Sequence, residues 1–226
     1  MTRMLASVAN LAEARLVAEL GVDFVDLKQP AAGALGALPV AEVARIVESL
    51  TGQRPISATV GDLPMVPEAV AEAVASMAGT GVDYVKIGFF PGGDWAGVIE
   101  GLRPLAQDGI RMVAVLFGDC APELRWVAAL AEAGFAGAML DTADKAQGSL
   151  REVCEPKFLR DFVAEARGHG LLCGLAGSLR AGDIPSLLAL QPDYLGFRGA
   201  LCGGNRTGEM DPGLVRQIQA LVRNNA

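Results

Sequence analysis

The sequence predicts a single-domain (β/α)8 TIM barrel over residues 1–226. Apolar runs of strand length alternate eight times with segments of helical period, which is the pattern of repeated βα units. The chain length matches the roughly 200 to 250 residues that one such barrel needs. Apolar residues make up 51% of the chain but aromatic ones only 5%, so the core must come from Ala, Val, Leu and Ile, as in helices packed on a parallel sheet. An open doubly wound sheet would need fewer strands and usually a G-x-G-x-x-G after the first. Here the first strand leads into Ala9-Asn10-Leu11-Ala12-Glu13.

The first strand is expected at Met4 to Val8. Asn10 then caps a helix over Leu11 to Leu20, with Glu13 at the capping-box position and Gly21 ending it. The next strands fall at Phe24 to Lys28, Pro55 to Val60 and Tyr84 to Gly88. Met112 to Phe117, Gly137 to Asp141, Leu172 to Ala176 and Tyr194 to Phe197 complete the set, each followed by a helix. The phrase Gly-Val-Asp precedes strands two and four, at Gly21 to Asp23 and Gly81 to Asp83. Glu132 to Phe135 and Gln191 to Asp193 fill the same place before strands six and eight, where a helix exit turns into a strand. Right-handed crossovers close eight such units into a barrel.

A net charge of −7 and the lack of any Lys/Arg run argue against nucleic acid or an anionic membrane as partner. A small phosphorylated ligand remains compatible, because backbone amides and one or two cations can hold it in an acidic protein. Cys120, Cys154, Cys173 and Cys202 are scattered without a C-x-x-C pair, so neither zinc nor a disulfide framework is expected. The apolar N-terminal stretch breaks at Asn10 and Glu13, too early for a signal peptide, and no long apolar run follows. The expectation is a cytoplasmic protein with reduced thiols and no cofactor. Leu/Ala-rich helix faces permit a homo-oligomer without fixing its stoichiometry.

In this fold, chemistry gathers at the C-terminal ends of strands. Strand two ends Asp26-Leu27-Lys28, strand four ends Lys86-Ile87-Gly88, and strand six runs into Asp141-Thr142-Ala143-Asp144-Lys145. The chain has only four lysines against fifteen arginines, and three of the four, Lys28, Lys86 and Lys145, stand at these ends. Alternate strands feed the same interior layers, so the three tips can converge. Lysine is the residue wanted for a Schiff base, since a primary amine turns a carbonyl into an iminium electron sink. Its pKa must fall from ~10.4 toward ~7, which a neighbouring lysine promotes by repulsion. The alternative for each lysine is a plain ion pair with a nearby Asp. Asp26 and Asp141 are candidates for proton transfer or for orienting a lysine.

Gly177 and Ser178 after strand seven, with Gly199, Gly203 and Gly204 after strand eight, offer small residues and free amides for a phosphate, and Arg198 and Arg206 offer charge. Gln29 to Gly36 is either a lid over the substrate or a plain turn. His169, between glycines at a helix end, reads as a C-terminal cap, and Lys157 as a solvated helix residue. No metal-ligand cluster, Ser/His pair or P-loop occurs in the sequence.

Taken together, several segments resemble the (5-formylfuran-3-yl)methyl phosphate synthases of methanofuran biosynthesis. They are Leu5 to Asn10 with Glu13-Ala14, Gly21 to Pro30 with Gly33 to Gly36, Tyr84 to Gly88, Leu140 to Lys145, Gly174 to Leu179 and Gly196 to Cys202. The resemblance implies condensation of two glyceraldehyde 3-phosphate molecules to a furan aldehyde phosphate with loss of phosphate and water. It implies that Lys28 forms the Schiff base and Lys86 accepts the proton, with Asp26, Asp141 and Lys145 in support. The chain departs from the family pattern at Gln29, where Lys-Glu-Pro is expected. Two other readings of the residues are a different Schiff-base aldolase or phosphosugar isomerase, and a non-catalytic barrel that binds a phosphorylated ligand.

Overall fold

The computed structural model describes residues 1–224. Its order is β1 (Arg3–Val8), α1 (Leu11–Glu19), β2 (Phe24–Leu27), α2 (Val40–Ser49), β3 (Ile56–Thr59), α3 (Pro67–Ala78), β4 (Tyr84–Phe89), α4 (Trp95–Gln107) and β5 (Met112–Phe117). It continues with α5 (Arg125–Glu132), β6 (Gly137–Asp141), α6 (Leu150–Val153), α7 (Pro156–Gly168), β7 (Leu172–Leu175), α8 (Ile184–Leu188), β8 (Tyr194–Phe197) and α9 (Pro212–Asn224). All eight strands are parallel, and β1 pairs with β8 to close the barrel. The expected strand positions hold to within two residues. The helix expected after strand six is split, with the single turn α6 ahead of α7.

The sheet is apolar on both faces because helices cover the outside and side chains fill the inside. The interior below the site is packed by Leu5, Phe24, Val113, Val115, Met139 and Tyr194. Tyr194 is buried, and its hydroxyl donates to Met139 Sδ at 3.4 Å. Gly174 makes room for it, since a Cβ there would lie 2.2 Å from the Tyr194 ring.

The recurring Asp ahead of a strand has a structural cause. Asp23 accepts the Met4 amide at 2.8 Å, Asp83 the Ile56 amide at 2.8 Å, and Asp193 the Cys173 amide at 2.7 Å. Each carboxylate thereby ties the start of its own strand to the start of the preceding one. Before β6 the corresponding residue is Ala136, which has no side chain to do this.

Asn10 caps α1 as expected, its Oδ1 accepting the Glu13 amide at 2.9 Å. Glu13, however, does not complete a capping box: its carboxylate accepts the Ala9 amide and pairs with Arg198. His169 occupies the C-cap of α7 and meets Glu165 on the surface, and exposed Lys157 pairs with Asp161. The four cysteines are free thiols. Among the described residues no helix is long and apolar enough to cross a membrane.

Candidate active site

Strand register sets the floor of the site. Ser7 of β1 and Ser57 of β3 stand directly beside Asp26 in the paired sheet, and all three point inward. Asp26 is fully buried and accepts from Ser57 Oγ at 2.6 Å, Ser7 Oγ at 2.8 Å and Lys86 Nζ at 3.0 Å. Burial alone would raise its pKa. The Lys86 and Lys28 charges and the hydrogen bonds from Ser57 and Lys86 outweigh that, so the carboxyl sits below its ordinary value. Asp26 does not line the cavity itself; Ser7 and Lys86, both bonded to it, do.

Lys28 follows β2 by one residue and is also buried, 7% exposed. Its Nζ makes no hydrogen bond or ion pair within the described residues. Burial with no direct counter-ion drives its pKa down to about 8; the Lys145 and Lys86 charges help, while Asp141 and Asp26 oppose. Lys145 by contrast is fully engaged, donating to Asp141 at 2.5 Å and to the Thr142 carbonyl. The Asp141 carboxyl is pushed up by burial but held lower overall by Lys145, Lys28 and the Thr142 amide. The structure thus brings the three lysines together and gives them different partners: Lys86 and Lys145 are each paired with a carboxylate, and Lys28 is not.

Lys28, Lys86, Lys145 and Asp141 line a cavity of about 490 Å³ at the C-terminal mouth of the barrel. Its opposite wall carries Gly177, Ser178, Gly199, Gly203, Gly204 and Arg206. The chain turns sharply there, with Gly177 at φ +106° and Ser178 at φ +48°. A Cβ on Gly177 would come within 2.9 Å of the Thr142 amide nitrogen, so only glycine lets the β7 and β6 loops approach this closely. Gly199 opens a short 3-10 turn whose first amides lack intrahelical partners.

Arg198 lies in the same wall but departs from the expectation of a phosphate ligand. Its Nε donates to the Arg206 carbonyl, its Nη1 to Ser7 O and Glu13, and its Nη2 to Glu13 and Gly208 O. All five N–H bonds are spent inside the protein. Arg198 is a brace for the loop after β8.

The Gln29 to Gly36 segment is pinned. Asp62 accepts the Ala34 and Leu35 amides at 2.8 and 2.7 Å, Arg206 Nη2 donates to Gly33 O at 2.8 Å, and buried Leu35 packs in the barrel mouth. Gln29 Oε1 accepts the Ala31 amide at 3.3 Å, a capping contact that an amide oxygen makes as a carboxylate would. Sequence reading missed Ser7, Ser57, Asp62 and Asp119, whose carboxylate holds the Ala143 and Asp144 amides ahead of Lys145.

A family profile described as 4-HFC-P synthase matches residues 4–219. The chain belongs to the 4-HFC-P synthase family. A Methanopyrus kandleri protein named (5-formylfuran-3-yl)methyl phosphate synthase is 36% identical over 234 residues, covering 96% of this chain and 97% of its own. A Methylorubrum extorquens protein that carries the same name provisionally is 42% identical over 98% of this chain and 92% of its own. The Salmonella typhimurium 3-hexulose-6-phosphate synthase structure superposes with a TM-score of 0.72 over the full length of both chains, at 16% identity, a likeness of fold.

Proposed function

We propose that this chain condenses two molecules of glyceraldehyde 3-phosphate to (5-formylfuran-3-yl)methyl phosphate, releasing phosphate and water, as a step toward a methanofuran-type cofactor. The observation that carries the reading is the unpaired Lys28 amine in the cavity, with a pKa of about 8 and two paired lysines beside it. An amine of that pKa is nucleophilic near neutral pH and still basic enough to form an iminium ion.

In this scheme one triose phosphate isomerises to the ketone. Lys28 Nζ adds to the aldehyde of the other, and water leaves as the iminium forms. Lys86, paired with Asp26 at 3.0 Å, gives its proton to the departing oxygen. The amine so freed then takes the proton from the adjacent carbon. The resulting enamine expels phosphate, and the enol so formed adds through its terminal carbon to the ketone carbon of the isomerised triose. That triose's free hydroxymethyl oxygen closes on the neighbouring carbonyl with loss of two waters to build the furan, and one water hydrolyses the iminium to release the aldehyde and the Lys28 amine. Lys145, paired with Asp141, stands beside the developing oxygen charges. Gly177, Ser178, Gly199 and Gly203 offer amides to the substrate phosphate, whereas the Gly204 amide is spent on the Gly199 carbonyl.

The test is incubation with glyceraldehyde 3-phosphate, following furan aldehyde absorbance and phosphate release, with borohydride added to trap the imine for mass spectrometry. Wild type is expected to form product and a Lys28 adduct. Lys28→Ala should give neither, and Lys86→Ala should give no product. Folded wild type that releases no furan product refutes the synthase reading.

A further inference from the structure

Arg198 and Arg206 share the cavity wall but not their state. Arg198 is saturated, and two of its five donors fix the carbonyls of Arg206 and Gly208. The backbone that carries Arg206 is thereby held from behind, while the Arg206 side chain points across the mouth to Gly33 O at 2.8 Å. That is its only hydrogen bond within the described residues, and no carboxylate pairs with it there. Four of its five N–H bonds remain available at the wall that also carries Gly199 and Gly203. Gly33 to Leu35 are gripped on the other side by Asp62. Arg206 thus links the phosphate wall to the segment that immediately follows Lys28.

We propose that Arg206 is the residue that recognises the substrate phosphate, and that through Gly33 it couples phosphate occupancy to the position of the segment that follows Lys28. The inference rests on the triose phosphate reading and names the recognition group and its mechanical link. A guanidinium offers a planar fork to phosphate oxygens while keeping its remaining donor on a backbone carbonyl. The half-buried position of Arg206 strengthens that attraction by limiting solvent screening.

The probe is inorganic phosphate, titrated calorimetrically into wild type, Arg206→Gln, Arg206→Lys and Arg180→Gln. Arg180 lines the same cavity but pairs with Glu152, so it reports the general field alone. Arg206→Gln is expected to weaken phosphate roughly tenfold to a hundredfold, the range for charge-assisted bonds. Arg206→Lys should recover part of that, and Arg180→Gln should change little. Amide exchange at residues 33–35 should slow on adding phosphate to wild type and not to Arg206→Gln. Failure of wild type to bind phosphate, equal affinity in Arg206→Gln, or an equal loss in Arg180→Gln overturns the proposal. If Arg206→Gln does not fold, Arg206→Lys carries the comparison, and unchanged affinity and protection there overturn it. Furan product is scored separately, so Arg206-dependent phosphate binding without furan formation rejects the synthase reading alone.

Discussion

Reductive methylation of lysines with formaldehyde and a mild hydride, read by mass spectrometry across pH, follows the free-amine fraction of Lys28 without any assumption about substrate. An ordinary lysine at 10.5 is neutral in roughly one molecule in three thousand at pH 7. At about 8, Lys28 is neutral in roughly one in ten, so the two differ by about 300-fold. Exposed Lys157 serves as an internal reference. The variants give opposite signs. Lys145→Gln removes a repelling cation and frees Asp141 to favour the Lys28 ammonium, so the midpoint should rise. Asp141→Asn removes the strongest attraction on that ammonium, so the midpoint should fall. A wild-type midpoint near 10.5, or both variants moving the same way, would refute the account of how this amine is activated.

Ser57→Ala removes a 2.6 Å donor from a fully buried carboxylate and is expected to cost about 1–3 kcal/mol in urea unfolding at pH 7. Stability equal to wild type would mean that the remaining donors to Asp26 suffice. Glu13→Gln leaves the Arg198 guanidinium buried without its counter-ion, and thermal unfolding should register a loss of about 3–5 kcal/mol. The double variant Glu13→Gln with Arg198→Met should recover part of it; equal losses would show that the pair is not an energetic unit.

The barrel was legible in the sequence because its strands are short apolar runs bounded by turns, and the turns before β2, β4 and β8 repeat one local chemistry. The lysines were legible for a different reason: in a chain that uses arginine for its surface, a lysine at a strand end stands out. Ser7 and Ser57 carried a weaker signal, polar residues at inward strand positions, but only the register identifies their common partner as Asp26. The state of Arg198 was not legible at all. Glu13 lies 185 positions away, and nothing local distinguishes a saturated guanidinium from the available one at Arg206. The role of Leu35 as a plug was hidden likewise, since an apolar residue in a Gly/Ala loop looks the same whether the loop is free or pinned.

The aspartates at the lower rim lead to a division of duties between the two ends of the barrel. In a closed ring of strands, vertical offset is a shared quantity: a slip of one strand must be absorbed all the way round. Asp23, Asp83 and Asp193 clasp neighbouring strands where the chain enters the sheet. The heights of Lys28 and Lys86, carried by strands that two of these clasps hold, are therefore set largely by foundations that never face the cavity. The loops at the mouth carry little of that burden and are free to diversify for the molecule they receive.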